Sequence, residues 1–298
     1  MLDLSIVIVN YNTRDLLRAC LHSLFASQGE LRYEVTVVDN ASQDGSAALV
    51  RQEFPPVHLL ENAENEGYAR ANNRGLRRRV ARYSLLLNPD TLVPPNALRE
   101  MLSLMEARPR VGIAGPKLVL EDGRLDLACR RTFPSPQVSF YRLVGLSRLF
   151  PRSRRFGRYN LTYLDPDQEA EVDSVVGAFM LVRGEVFGEI GYLDESFFLY
   201  GEDLDLAYRA KAAGWSVLYY PRVVVLHYKR QASRQVRALA RREFYRAMYL
   251  FYQKHYARTT PRWLHGLILA GLLLRGGPEL GRTILRSQFD GKEAQLLR

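Results

Sequence analysis

The chain has 298 residues, 47% of them hydrophobic and 25% charged, which is enough to bury a full core and excludes a wholly disordered or fibrous protein. Its formal net charge of +10 attracts nucleic acid, anionic lipid or a phosphorylated substrate, but no helix-turn-helix, zinc finger or RNA-binding aromatic motif accompanies it, so no nucleic-acid partner is expected. Cys20 and Cys129 have no partners at metal spacing and the N-terminus lacks the basic start and apolar run of a signal peptide, so buried thiols and a cytoplasmic protein are expected.

Leu4 to Asn10 is a compact β-branched run, closed by the polar Asn10-Tyr11-Asn12-Thr13 and followed by Leu16, Leu17, Cys20, Leu21 and Leu24 at helical spacing. Glu34 to Val38 reads as a second strand. The turn from Asp39 to Ser46 after it can cap a helix from about Ala47. Val57 to Glu61 gives a third strand, Tyr68 to Val80 a helix, and Tyr83 to Leu87 a fourth strand ending at Asn88-Pro89-Asp90. Strands alternating with helices predict an α/β fold, a mostly parallel sheet with helices on both faces, which binds ligands beyond the carboxyl ends of its strands.

Pro94 to Glu106 reads as a helix and Val111 to Val119 as a strand. Periodicity weakens from Glu121 to about Asp173, which suggests a long, partly disordered excursion around the acceptor side. A strand over Val175 to Val182 and a short helix over Glu185 to Ile190 follow. Gly201-Glu202-Asp203-Leu204-Asp205 then opens a helix that stops at Gly214. Trp215 to Tyr219 is a strand, which Val223 to His227 extends. Residues 233–298 read as helical, and Trp263 to Leu274, apolar but too short to span a bilayer, reads as an interfacial segment or a docking helix, with a buried core helix as the alternative. Basic runs at Arg70 to Arg82, Arg148 to Arg158 and Lys229 to Arg246 favour an anionic membrane surface as partner.

Asp90, after a strand, can hold a divalent cation bridging two phosphates, although Asn-Pro-Asp is also an ordinary turn. Glu202, Asp203 and Asp205 crowd one helix start. Acids there are favoured by the helix dipole, but three within four residues exceed what capping needs, and like charges so close raise a pKa toward that of a base. The aromatics just upstream, Tyr200 among them, suit a sugar-binding wall or a core. His227 ends a strand, where an imidazole can complete a metal shell or contact a phosphate, or be merely structural. Asp39 can accept from a base N–H and Tyr11 can stack on a nucleoside. The chain has neither a GxGxxG after its first strand nor a GxxxxGK[ST], which counts against an NAD enzyme and a P-loop ATPase.

In order along the chain, Ser5 to Asn12, Val38 to Ser46, Asn65 to Asn73, Leu86 to Asp90, Gly177 to Met180 and Phe198 to Asp205 resemble the family 2 glycosyltransferases of the GT-A fold, in particular their bacterial rhamnosyltransferase-like group. The resemblance covers Leu4 to about Ser233. It implies a Rossmann-like catalytic domain over 1–232, with a nucleotide-sugar half to about 120 and an acceptor half from about 121, and a helical C-terminal extension over 233–298. By the same resemblance Val9, Tyr11 and Asp39 contact the nucleoside, with Arg70 and Asn88 near it. Asp90, last acid of a DxD motif whose first acid is here Asn88, ligates Mg²⁺ or Mn²⁺ with His227. Asp203 is the base, Glu202 and Asp205 orient the base or the acceptor, and Tyr200 lies on the acceptor side. The implied reaction transfers a sugar with inversion, rhamnose from a dTDP donor first, to a lipid-linked or polysaccharide acceptor at the inner face of the cell membrane. A UDP-hexose or GDP-mannose transferase of the same fold, or a non-catalytic nucleotide-sugar or carbohydrate-binding protein, is the alternative.

Overall fold

In a computed structural model describing residues 2–27, 31–79, 81–229 and 237–296, the N-terminal half alternates strand and helix as the periodicity predicts. The strands are β1 (Leu4–Asn10), β2 (Tyr33–Asp39), β3 (His58–Glu61) and β4 (Tyr83–Leu87), and the helices α1 (Arg14–Phe25), α2 (Ser46–Glu53) and α3 (Tyr68–Arg78). The order β3-β2-β1-β4 is parallel throughout. Every residue of β1 is buried, as a strand covered on both faces requires. The turn before α2 works as its polarity suggests, except that Asp44 caps from outside: its carboxylate accepts from the Ser46 N–H at 3.0 Å.

The second half departs from a purely parallel sheet. After β5 (Thr91–Leu92), α4 (Ala97–Ala107) and β6 (Val111–Val119), the excursion from Glu121 to Asp173 is folded. It holds a 3₁₀ turn at Leu127–Cys129, α5 (Pro136–Leu143), α6 (Leu146–Leu149) and β7 (Ala170–Val172). The strand expected from Val175 begins only at Phe179, as β8 (Phe179–Arg183), because the carbonyl of Val175 and the N–H of Gly177 bond side chains instead of a neighbouring strand. β8 lies antiparallel between β4 and β6. Then come α7 (Gly184–Ile190), α8 (Glu202–Ala212) and one long strand, β9 (Ser216–His227), whose register against β6 shifts opposite Pro116 and Lys117. That shift admits Pro221, which has no N–H for a regular ladder. β9 also pairs antiparallel with β5 and β7. The sheet is therefore mixed and mostly parallel, with β5, β7 and β8 reversed.

Two helices finish the described chain, α9 (Arg237–His255) and α10 (Arg262–Leu296). Gly277 breaks α10 with φ of 76°, a left-handed conformation that glycine adopts freely, and Pro278 after it supplies no N–H to the preceding turn. α9 packs on α8 and the loop before it through Ala247 and Phe251, which meet Phe197 and Leu204. Its Tyr249 packs against Leu272, Leu280 and Ile284 of α10. Of the third basic run, Arg230 and Arg234 lie outside the described residues, as does Ser233, where the catalytic domain was expected to end.

Candidate active site

The register of the sheet brings the polar segments to one edge. Asn10 pairs with Asp39 at the ends of β1 and β2, Leu87 ends β4 opposite the first residue of β8, and His227 ends β9 opposite Thr91. α3 and α8 begin at the same edge. Gly67, with φ of 84°, makes this closure possible: a methyl there would lie 2.5 Å from the carbonyl oxygen of Phe198, so only glycine lets the loop before α8 sit on the start of α3. The Tyr68 N–H donates to that same carbonyl at 2.7 Å.

Glu202 and Asp203 are both buried at the start of α8. Asp203 Oδ2 accepts from Arg131 Nη2 at 2.6 Å and from the Gly177 N–H at 3.1 Å, and Oδ1 accepts from the Leu204 N–H at 2.7 Å. Oδ1 therefore keeps a lone pair for an incoming hydroxyl proton. Arg131 also donates to the Val175 carbonyl at 2.9 Å; burial pulls its pKa down, but the charge and hydrogen bond of Asp203 together with those of Tyr159 raise it overall, so the guanidinium stays charged. Glu202 differs: its Oε2 is buried with no hydrogen-bond partner among the described residues. Burial first, then the charge of Asp203, push its carboxyl up to about 8. The pair thus divides into a member bonded to Arg131 and a member that burial and repulsion keep protonated near neutrality.

A second group stands at the end of β9. His227 Nε2 lies 3.3 Å from Asp90 Oδ1, an oxygen that is buried with no hydrogen-bond partner among the described residues. His227 Nδ1 lies 2.9 Å from Asp126 Oδ2, and Lys229 bonds the other oxygen of Asp126. Burial would lower the histidine, but its hydrogen bond to Asp126 and the negative charges of Asp90 and Asp126 raise it to about 9. A carboxylate behind an imidazole fixes the ring and directs its other nitrogen, the arrangement that backs histidine ligands in metal sites. Among the described residues no group of three or more His, Cys, Asp and Glu side chains forms a cage. The Asp90 carboxylate and the His227 nitrogen that faces it would still fit a hard cation that displaces the proton on that nitrogen and takes its remaining ligands from a diphosphate.

Tyr68 connects the two groups. Its hydroxyl lies 3.0 Å from both Asn88 Oδ1 and the Gly177 carbonyl, and Gly177 in turn bonds Asp203. Burial, then the charges of Glu202 and Asp203, keep this phenol well above its ordinary range, so it remains a donor.

The residues expected to hold the nucleoside lie at the ends of β1 and β2. Val9 is buried and Tyr11 half-buried, while Asp39 is buried and accepts from Asn10 Nδ2 at 3.1 Å and the Ser42 N–H at 2.9 Å. Arg70 is exposed and its Nε lies 3.4 Å from Glu195, which Arg77 also pairs. Asp205 is fully buried, its oxygens are held by Arg209 of its own helix and by Lys254 and His255 of α9, and those bonds overcome burial to hold it down at about 2. Its position is that of a link between α8 and α9. Tyr200, with φ of 69°, packs edge-on against Phe244 of α9.

Sequence reasoning gave no role to Asp126, Arg131, Tyr68 or Gly177. Tyr68 and Gly177 lay inside recognised motifs, so their positions were signalled although their bonds were not. Asp126 and Arg131 lay in the stretch without periodicity and carried no signal.

Residues 5–189 match the family described as glycosyl transferase family 2. The chain is 29% identical over 274 residues to an N-acetylglucosaminyl-diphospho-decaprenol L-rhamnosyltransferase of Mycobacterium tuberculosis, covering 87% of this chain and 88% of that one. It is 24% identical over 244 residues to the rhamnosyltransferase WbbL of Escherichia coli K12, covering 77% and 84%. The solved mannosyltransferase PcManGT of Pyrobaculum calidifontis, in complex with GDP-Man and Mn²⁺, shares the fold with a TM-score of 0.55 at 17% identity, covering 96% of this chain and 79% of that one.

Proposed function

The chain belongs to glycosyl transferase family 2 and is a glycosyltransferase, and on that premise we propose that it transfers a hexose with inversion from a nucleoside diphosphate donor to a lipid-linked or polysaccharide acceptor. In this reading residues 1–232 form a GT-A catalytic domain and residues 233–298 a helical extension. The observation that carries it is the meeting at one sheet edge of an orphaned Asp90 oxygen beside an oriented His227 with the buried Glu202–Asp203 pair, joined through Asn88, Tyr68 and Gly177.

Asp90 and His227 would hold Mg²⁺ or Mn²⁺, which supplies charge neutralisation to the departing diphosphate. Asp126 orients His227 for that task. Val9, Tyr11 and Asp39 receive the nucleoside at the ends of β1 and β2, with Asn88 between them and the reacting sugar and Arg70 at the rim. Asp203 takes the proton from the acceptor hydroxyl as that oxygen attacks C1 of the donor on the face opposite the leaving group, so the C1 configuration inverts. Arg131 holds Asp203 in place. Glu202, protonated, adds no second negative charge beside the attacking oxygen. Asp205 orients the base by fixing α8 to α9, and Tyr200 borders the acceptor side.

Rhamnose from dTDP-rhamnose is the favoured donor, supported by the two relatives named as rhamnosyltransferases. GDP-mannose is the second reading, supported by the fold shared with the mannosyltransferase in complex with GDP-Man. The test measures nucleoside diphosphate release from dTDP-rhamnose, GDP-mannose and UDP-hexoses with Mg²⁺ or Mn²⁺, for the parent and Asp203→Asn. Release from dTDP-rhamnose that disappears in the variant is the expected result. Release from another donor alone would overturn the rhamnose assignment, and binding without any release, even with lipid-linked acceptors present, would make the protein a binding module.

A further inference from the structure

The first limb of α10 is apolar on two opposite sides. Ile268, Leu269 and Leu272 pack toward α9, where they meet Tyr249, Tyr245 and Met248. On the far side Trp263, Leu267, Ala270 and Leu274 are all exposed, at helical spacings of four, three and four, with Trp263 70% and Leu274 87% accessible. A helix that needs only one apolar face to dock has no folding reason for the other.

The exposed stripe does not stand alone. A methyl on Gly271 would lie 3.9 Å from Leu143 Cδ2, which puts α5 beside it. α5, α6 and the residues around them expose Phe140, Leu143, Val144, Leu149 and Phe150, with Leu149 69% accessible. Two segments more than a hundred residues apart in the chain thus contribute to one apolar face, larger than the isolated exposed side chains normal on soluble proteins.

Its charge says what covers it. From Pro136 to Arg158 the chain has six arginines and no Asp or Glu, and from Phe244 to Pro278 it has no Asp or Glu either. Arg148, Arg152, Arg154, Arg262 and Arg275 are exposed. Packing two copies of this face across a two-fold axis would set arginines against arginines. An anionic lipid surface neutralises them and receives the apolar side chains, with Trp263 at the depth tryptophan favours in membrane interfaces. No helix among the described residues is long and apolar enough to cross a membrane, so the contact is interfacial.

We propose that the far side of α10 and the α5–α6 segment form one composite surface that inserts into the headgroup region of an anionic bilayer. It rests on the reading above only in serving a lipid-linked acceptor, and vesicle binding is measured with no substrate present, so the two fail separately. The full chain is sedimented with vesicles of phosphatidylcholine alone or mixed with phosphatidylglycerol. The parent is compared with Trp263→Glu/Leu267→Glu/Leu274→Glu and, independently, with Arg148→Glu/Arg152→Glu/Arg154→Glu. Circular dichroism and thermal midpoints check that both variants fold.

The parent is expected on phosphatidylglycerol vesicles and not on neutral ones, and each variant is expected to lose at least about tenfold in binding. Trp263, left as the single tryptophan by Trp215→Phe, should shift its emission to the blue on the anionic vesicles. An unbound parent, binding undiminished in both variants, or a Trp263 emission that vesicles leave unchanged would overturn the proposal. So would a parent dimer in light scattering that the Trp263 variant dissociates while vesicle binding is absent, which would assign the face to a second copy.

Discussion

Replacing Arg131 by Met tests whether the buried ion pair holds the site together. Arg131 and Asp203 meet at 2.6 Å with side chains 9% and 8% exposed, so little water reaches either charge. The variant leaves the Asp203 carboxylate buried with only the N–H groups of Gly177 and Leu204, and strips the Val175 carbonyl of a donor. Removing one partner of such a pair costs about 3–5 kcal/mol, because the remaining charge stays desolvated. For a chain of this size that corresponds to a fall in Tm of about 6–10 °C. Urea denaturation and differential scanning fluorimetry read it directly. Arg131→Met/Asp203→Asn removes both charges and should lose at least about 1 kcal/mol less than the two single variants together. A single variant within about 1 kcal/mol of the parent, or a strictly additive double variant, would show that the pair is not the buried, mutually dependent unit described.

Asp203→Asn should lower turnover by about 10²–10⁴-fold with little change in donor KM, measured as diphosphate release, since a general base acts in the chemical step. Glu202 has a folded-state pKa raised from 4.5 to about 8, so the folded protein retains a proton that the unfolded chain gives up. Its contribution is fully present below about pH 4.5 and is lost as pH rises through about 8. Denaturation curves should therefore show Glu202→Gln gaining on the parent across that window, and parallel curves would count against the burial of Glu202. Asp126→Ala frees His227 from its support and should weaken Mn²⁺ affinity about 10–100-fold in a titration with nucleoside diphosphate present. Gly67→Ala, at φ of 84° and 2.5 Å from the Phe198 carbonyl, should cost more than about 1 kcal/mol and loosen the loop before α8, read as a lower Tm and faster proteolysis there.

Local patterns carried much of this protein into view. A β-branched run, a polar turn and a helical repeat of leucines are enough to specify β1 and α1, because each pattern is satisfied within a few neighbouring residues. The acids of α8, Asp90 and His227 were visible for the same reason: their residue types and their places after strands or at a helix start are local properties. The C-terminal helices and the apolar run from Trp263 to Leu274 could also be read directly. β5 and β7, two and three residues long, are too short to alternate and had no such signature.

Only the tertiary structure set the partners. Arg131 reaches Asp203 across 72 residues, and Asp126 reaches His227 across 101, both out of a stretch whose irregular sequence suggested a loose excursion. The reversal of β8, the link from Asp205 to α9 and the shared face of α5 and α10 are likewise products of topology. Sequence fixes what each segment can bury and which groups it offers for bonding. Which distant group answers a buried charge, and which apolar side is left uncovered, is decided only when the sheet closes and the helices pack, because those energies depend on burial that no segment achieves alone.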